Sequence, residues 1–178
     1  MGRKKAAKMS PKSRVRGRIT PFLWFDNQAE EAATFYTSVF SSIWGSEGTK
    51  VGSIARYGEA GPGQKGSVMV ATFRLDGQEF VALNGGPRFK FTEAISFVIN
   101  CKTEKEVDHF WGKLTVGGEE SMCGWLKDKY GLSWQVVPVV LNQMLTDKDP
   151  LKAKRVMEAM LKMRKIDLNV LKEAYNKK

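Results

Sequence analysis

The feature that most constrains this chain is a strand-then-helix pattern that occurs twice, about 75 residues apart. In the first copy, Ile19 to Phe25 is short, aromatic-rich and bounded by Asp26-Asn27, which suits a strand. Asn27 and Glu30 then have the spacing of a capping box, and Ala29, Ala32, Ala33, Tyr36 and Phe40 fall on one helical face. In the second copy, Ala94 to Asn100 reads as a strand and Thr103 with Glu106 as the capping box. Val107, Phe110, Trp111 and Leu114 follow at i, i+3, i+4 and i+7. Sliding one copy onto the other by 75 residues superposes Phe22 on Phe97, Glu31 on Glu106, Phe35 on Phe110 and Tyr36 on Trp111. A duplicated supersecondary unit is expected.

The rest of each copy supplies strands. Lys50 to Tyr57 suits one, followed by the glycine-rich loop Gly58 to Gly66. Val68 to Leu75 and Gln78 to Leu83 flank Asp76-Gly77, a pair favoured in two-residue hairpins because both positions need positive φ. Asn84-Gly85-Gly86-Pro87 closes this first βαβββ unit. After the second helix, Cys123 to Lys129 and Leu132 to Val137 read as strands turning at Tyr130-Gly131. Only Thr115 to Met122 remains for a third strand, so the second unit is expected to be abbreviated. The last forty residues read as helical. Asp149-Pro150 is a cap followed by proline at the first helical position, and Ala153, Val156, Met157, Met160 and Leu161 form an apolar stripe. Asp167 caps a further helix with Leu168, Leu171 and Tyr175 inward. The fold class is therefore α+β, paired βαβββ modules with a C-terminal helical extension. Residues 19–178 form one domain, divided into 19–87, 93–138 and the helices of 149–176.

Charge separates the ends from the body. The formal net charge is +10, yet residues 1–18 alone hold eight bases and no acid, and residues 150–178 hold nine bases and three acids. The remainder is net −4. Residues 1–18 have no hydrophobic period and are read as a disordered basic arm. Such an arm can make weak polyanion contact, which gives one reading of the protein as nucleic-acid-associated. On the C-terminal helices the bases lie mostly off the apolar stripe, as on a solvated face. No run of about 18 apolar residues is present, and no apolar run follows the basic start, so neither a membrane span nor a secretory signal is expected. With two cysteines, Cys101 and Cys123, reduced thiols and a cytoplasmic location are expected.

Several segments resemble the PhnB-like family of the glyoxalase/bleomycin-resistance/dioxygenase (vicinal oxygen chelate) superfamily, many of whose members carry the label 3-demethylubiquinone-9 3-methyltransferase. They are Ile19-Thr-Pro-Phe-Leu-Trp-Phe, the helix carrying Phe35-Tyr36, Gly66-Ser-Val-Met and Glu93-Ala-Ile-Ser-Phe-Val-Ile-Asn. The run Cys123-Gly-Trp-Leu-Lys-Asp-Lys-Tyr-Gly-Leu-Ser-Trp-Gln-Val-Val-Pro is the most specific, and Met163-Arg-Lys-Ile-Asp-Leu completes the set. The resemblance spans about Ile19 to Tyr175 and implies a cup of paired βαβββ modules, commonly completed or covered in a homodimer. In metal-using members the cup presents His and Glu. The resemblance puts those positions at Thr20, near Ala82, near Ala94 and at Gln135, none a good ligand for a divalent ion. The sole histidine, His109, sits on a helix and is read as a packing residue. The expectation is therefore no metal site and no cofactor.

What remains for the cup is aromatic with a few neutral anchors. Alternation sends Thr20, Phe22 and Trp24 to one face, Ala82 and Asn84 to one face of their strand, and Ser96 to the face of Ala94. Gln135 offers a donor and an acceptor without charge, and Trp125 lies nearby in the motif. Thr20, Phe22, Trp24, Asn84, Ser96, Trp125 and Gln135 are the candidate residues for a small organic ligand. Phe22 and Trp24 can equally be core filling, and Cys123 is read as inert packing rather than a reactive thiol. The methyltransferase label fits poorly, because the glycine-rich stretch joins two strands rather than a strand and a helix. Whether the protein turns over a substrate is left open; a metal-dependent glyoxalase or dioxygenase is the remaining enzymatic alternative.

Overall fold

The computed structural model describes residues 19–177, so the reading of residues 1–18 as an arm lies outside the described part. The duplication is plain in the topology. The first unit runs β1 (Phe22–Phe25), α1 (Ala29–Trp44), β2 (Lys50–Arg56), β3 (Val68–Leu75) and β4 (Gln78–Asn84). The second runs β5 (Ser96–Cys101), α2 (Glu104–Leu114), β6 (Glu119–Glu120), β7 (Trp125–Lys127) and β8 (Ser133–Pro138). The two sheets have the same order, β1-β4-β3-β2 and β5-β8-β7-β6. In each, the first strand lies parallel to the last and the other pairs are antiparallel. β6 is two residues long, so the second unit is indeed abbreviated. The extension forms α3 (Val139–Leu145), α4 (Pro150–Met160) and α5 (Leu168–Asn176).

Alternation gives every strand an inner and an outer face. Leu23, Phe25, Ala71, Phe73, Leu75, Phe80 and Ala82 of the first sheet are buried against α1. Ile99, Cys101, Leu126, Trp134 and Val136 of the second join the same core with Val107, Phe110, Trp111 and Leu114 of α2. The inner faces also meet each other: the Phe80 and Phe97 rings are 5.2 Å apart, and those of Tyr36 and Trp134 are 5.5 Å apart. The helices and inner faces thus share one core, and both outer faces point away from it.

Local signals decide most of these boundaries. Asp76 and Gly77 have φ of 47° and 83°, and Leu75 pairs with Gln78, as a tight hairpin requires. Thr103 and Glu106 make the complete capping box. Asp149 and Asp167 cap α4 and α5.

Three expectations are corrected. Asn27 does not cap α1: Gln28 holds the cap position with no side-chain bond, and the Ala29 N–H instead donates to Asn84 Oδ1 at 2.8 Å. A tertiary acceptor replaces the local one. The 75-residue offset holds for the helices, where Tyr36 and Trp111 are both buried, but fails for the strands, since Phe22 faces outward and Phe97 inward. The link between β1 and α1 is one residue longer than that between β5 and α2, and a one-residue slip exchanges faces. On α4 only Val156 of the predicted stripe is fully buried, whereas Met157 and Leu161 are exposed. The extension packs through a small second core of Leu141, Met144, Val156, Ile166 and Leu171.

Candidate functional site

The outer faces carry the side chains that the core leaves free. On the first sheet, Phe22 pairs with Val81 and Trp24 with Leu83, and β3 continues the surface through Thr72 and Val70. Phe22 is 60% exposed although it is a large aromatic. Trp24 is held more firmly: its Nε1–H donates to the Gly86 carbonyl at 2.8 Å, and its ring meets Phe89 edge-on at 5.0 Å. On the second sheet, Val98 and Trp125 flank Gln135 in register, and Ser96 pairs with Ser133. Gln135 Nε2 donates to Ser96 Oγ at 2.9 Å. Val98 is 49% exposed, and Ile95 just before the strand is 70% exposed.

The predicted residues therefore fall into two groups on two sheets. Phe22 and Trp24 lie together on one outer face, approached by the half-buried Thr20, while Ser96, Trp125 and Gln135 lie together on the other. Asn84 belongs to neither group. It shares the inner parity of Ala82 and acts inside the fold, accepting from Ala29 N and donating through Nδ2 to the Val68 carbonyl at 3.0 Å. The outward positions on that strand are Val81 and Leu83. Strand parity counted back from Asn84 would have identified them, had Ala82 been assigned to the core.

One residue that sequence reasoning passed over is Ser133. It is 1% exposed, faces outward with Gln135, and its Oγ has no hydrogen-bond partner. A buried hydroxyl left unpaired costs free energy unless water or a ligand meets it. The small cavity beside it, about 130 Å³, is lined by Glu93, Glu119, Trp125 and Lys127, among others.

Beneath the second sheet lies Asp128, 2% exposed, which ties the units together. Its Oδ2 accepts from Tyr36 Oη at 2.7 Å and Trp134 Nε1 at 2.8 Å, and its Oδ1 from the N–H groups of Tyr130 and Leu132. Burial raises its pKa, against the lowering pull of those hydrogen bonds. Because every lone pair is used inside the core, this carboxyl is a clasp and not a reagent.

The metal positions implied by the family resemblance do not fit a divalent ion. Ala82 is buried on the inner face, Ala94 precedes β5, and Gln135 is an amide bonded to a serine. Among the described residues no three His, Cys, Asp or Glu side chains converge as a metal group would need. His109 packs α2 on α1, with Nε2 2.9 Å from the Val39 carbonyl and 3.1 Å from Ser42 Oγ. Both cysteines are unpaired. Burial pushes the Cys101 thiol up to about 12. Cys123 holds φ of 59°, and its Sγ lies 3.6 Å from the Met160 carbonyl. No described helix is long and apolar enough to cross a membrane.

Residues 17–137 match the family described as 3-demethylubiquinone-9 3-methyltransferase. A putative 3-demethylubiquinone-9 3-methyltransferase, PhnB protein, from Bacillus cereus is 42% identical, the match covering 68% of this chain and 99% of that one with a TM-score of 0.60. A Pseudomonas aeruginosa protein shares the fold at 20% identity over 65% of this chain and 92% of its own, with a TM-score of 0.54. A lactoylglutathione lyase from Agrobacterium tumefaciens is matched more loosely, at 18% identity over 70% and 92% of the two chains with a TM-score of 0.34. No curated protein matches the chain.

Proposed function

The chain belongs to the PhnB-like family of the vicinal oxygen chelate superfamily, and from that premise we propose that it binds a small organic molecule in an apolar cup without a divalent metal. The cup is built by two copies of the chain, the outer face of the first sheet of one closing over the outer face of the second sheet of the other. One observation carries this reading: a large apolar side chain stands exposed on each outer face, Phe22 on the first and Val98 on the second, beside a small set of neutral polar groups. Aromatic walls with a few fixed hydrogen-bonding groups are the usual makeup of small-ligand sites. Phe22, Trp24 and Trp125 supply the walls, and Ser96 and Gln135 the anchors. The absence of a formal charge on those anchors favours an uncharged planar ligand. Two unpaired cysteines, one with its thiol suppressed by burial, accord with a cytoplasmic setting.

The test joins assembly to binding. Val98→Asp places a charge on the outer face without touching the core, and it is expected to give monomers and to abolish the quenching of tryptophan fluorescence by planar organic ligands. A variant that stays dimeric and binds as the wild type does would refute the shared cup. Near-stoichiometric zinc, nickel or manganese in protein purified without chelator would refute the metal-free part.

The family's description favours a second reading, methyl transfer. Gly58 to Gly66 joins β2 to β3, and the described sheets contain no glycine-rich strand-to-helix turn of the kind that holds S-adenosylmethionine in doubly wound folds. Calorimetry with S-adenosylmethionine separates the readings: saturable heat would establish the second.

A further inference from the structure

Two stretches lie outside the family match, residues 1–16 at one end and 138–178 at the other. The structure records how the second is used. Its segment Met163 to Leu168 crosses the corner where α2 begins and β6 turns into β7. Cys123 N–H and Gly124 N–H donate to the Met163 and Arg164 carbonyls at 2.8 and 2.7 Å, and Leu168 N–H donates to Glu104 at the start of α2. Its basic side chains meet acids of the module, Lys165 with Asp108 and Arg164 with Glu120. An appended segment thus fills the corner of the second module by backbone bonding and by charge.

The corresponding corner of the first module is open. Between the start of α1 and the β2–β3 loop lies a cavity of about 990 Å³. Its acidic lining comes from Asp26, Glu30 and Glu31, and its apolar lining includes Phe35, Tyr57 and Val68. Glu31 is bonded to Lys129 and Tyr130, and Glu30 lies 3.6 Å from Arg56 across an exposed gap. Asp26 has no side-chain partner among the described residues. Carboxylates beside aromatic rings favour cationic side chains, which gain from both.

We propose that this slot is a docking site for the basic stretch of residues 1–18 of this chain. It offers eight bases against no acid, as the slot requires. Reach is no obstacle: eighteen residues span up to about 60 Å at roughly 3.3 Å each, and the chain from Ile19 passes through β1 to Asp26 at the slot's edge. The slot lies on the helix side of the first module, away from the outer faces that carry the proposed cup. Docking there also holds back the charge that would otherwise reach a polyanion.

Limited trypsin digestion of the full-length protein tests this, since every base in residues 1–18 is a cleavage point when free. Asp26→Asn with Glu30→Gln removes the charge, and Ser38→Trp fills the cavity from an exposed position on α1. Each variant is expected to speed removal of the arm about tenfold, because cleavage tracks the undocked population. Neutralising Glu158 and Glu173, on the C-terminal helices, is expected to leave the rate unchanged. Equal rates in the wild type and both slot variants would overturn the proposal. So would an equal acceleration from the Glu158 and Glu173 changes, which would point to general charge and not to the slot.

Discussion

Asp128 concentrates the energetics of the two-module core in one side chain. Asp128→Asn replaces Oδ2, which accepts from Tyr36 and Trp134, by an amide or else turns that amide on two backbone donors. Neither the indole N–H nor a backbone N–H can reverse its role, so at least one donor is left unpaired at a cost of about 1–3 kcal/mol. The pH dependence has a definite sign. Burial holds the carboxyl above its ordinary value of 3.8, so the folded chain retains this proton more tightly than the unfolded chain. Stability from the group is greatest below 3.8 and declines as pH rises through the folded-state value. Urea unfolding at several pH values should therefore show the gap between wild type and variant narrowing as pH rises; a widening gap would contradict this. A second residue-scale prediction concerns Gly85. A Cβ there would lie 2.2 Å from the Trp24 ring, so Gly85→Ala should displace the indole and shift its fluorescence. An unchanged emission spectrum would mean Trp24 is not held as described.

Among the elements, the two long helices differ in what starts them. Thr103→Ala removes a local cap and should cost about 1 kcal/mol in a thermal or urea melt. Asn27→Ala, at the position the spacing singled out, should cost little, because α1 is capped by Asn84 from the far end of β4. Asn84→Ala should then be the costly change, losing bonds to both α1 and β3. Equal costs for Asn27→Ala and Asn84→Ala would refute the assignment. This contrast marks what the sequence could disclose. The hairpin at Asp76-Gly77, the caps at Thr103, Asp149 and Asp167, and the helical faces are written in neighbouring residues, so they were legible. The Asn84 cap joins residues 55 apart in sequence and leaves no local trace. Ser133 is hidden for a related reason, since its isolation depends on what flanks it across the sheet.

At the scale of the whole molecule, the paired units follow from the repeat, but the facing of their strands does not. A single extra residue between β1 and α1 keeps the helices in step while turning Phe22 outward and Phe97 inward. Each sheet keeps an exposed apolar side chain on its outer face, Phe22 on the first and Val98 on the second. Hence the candidate residues Phe22 and Trp24 on one sheet, and Ser96, Trp125 and Gln135 on the other, meet in one site only if a second copy brings them together. Native mass spectrometry of protein purified without chelator reads assembly and metal content at once. The predicted result is a species of twice the chain mass with no stoichiometric zinc, nickel or manganese, gaining one small-molecule mass per cup when a planar organic ligand is added. A monomer that takes up the same ligand, or a dimer carrying one such metal ion per chain, would contradict the account.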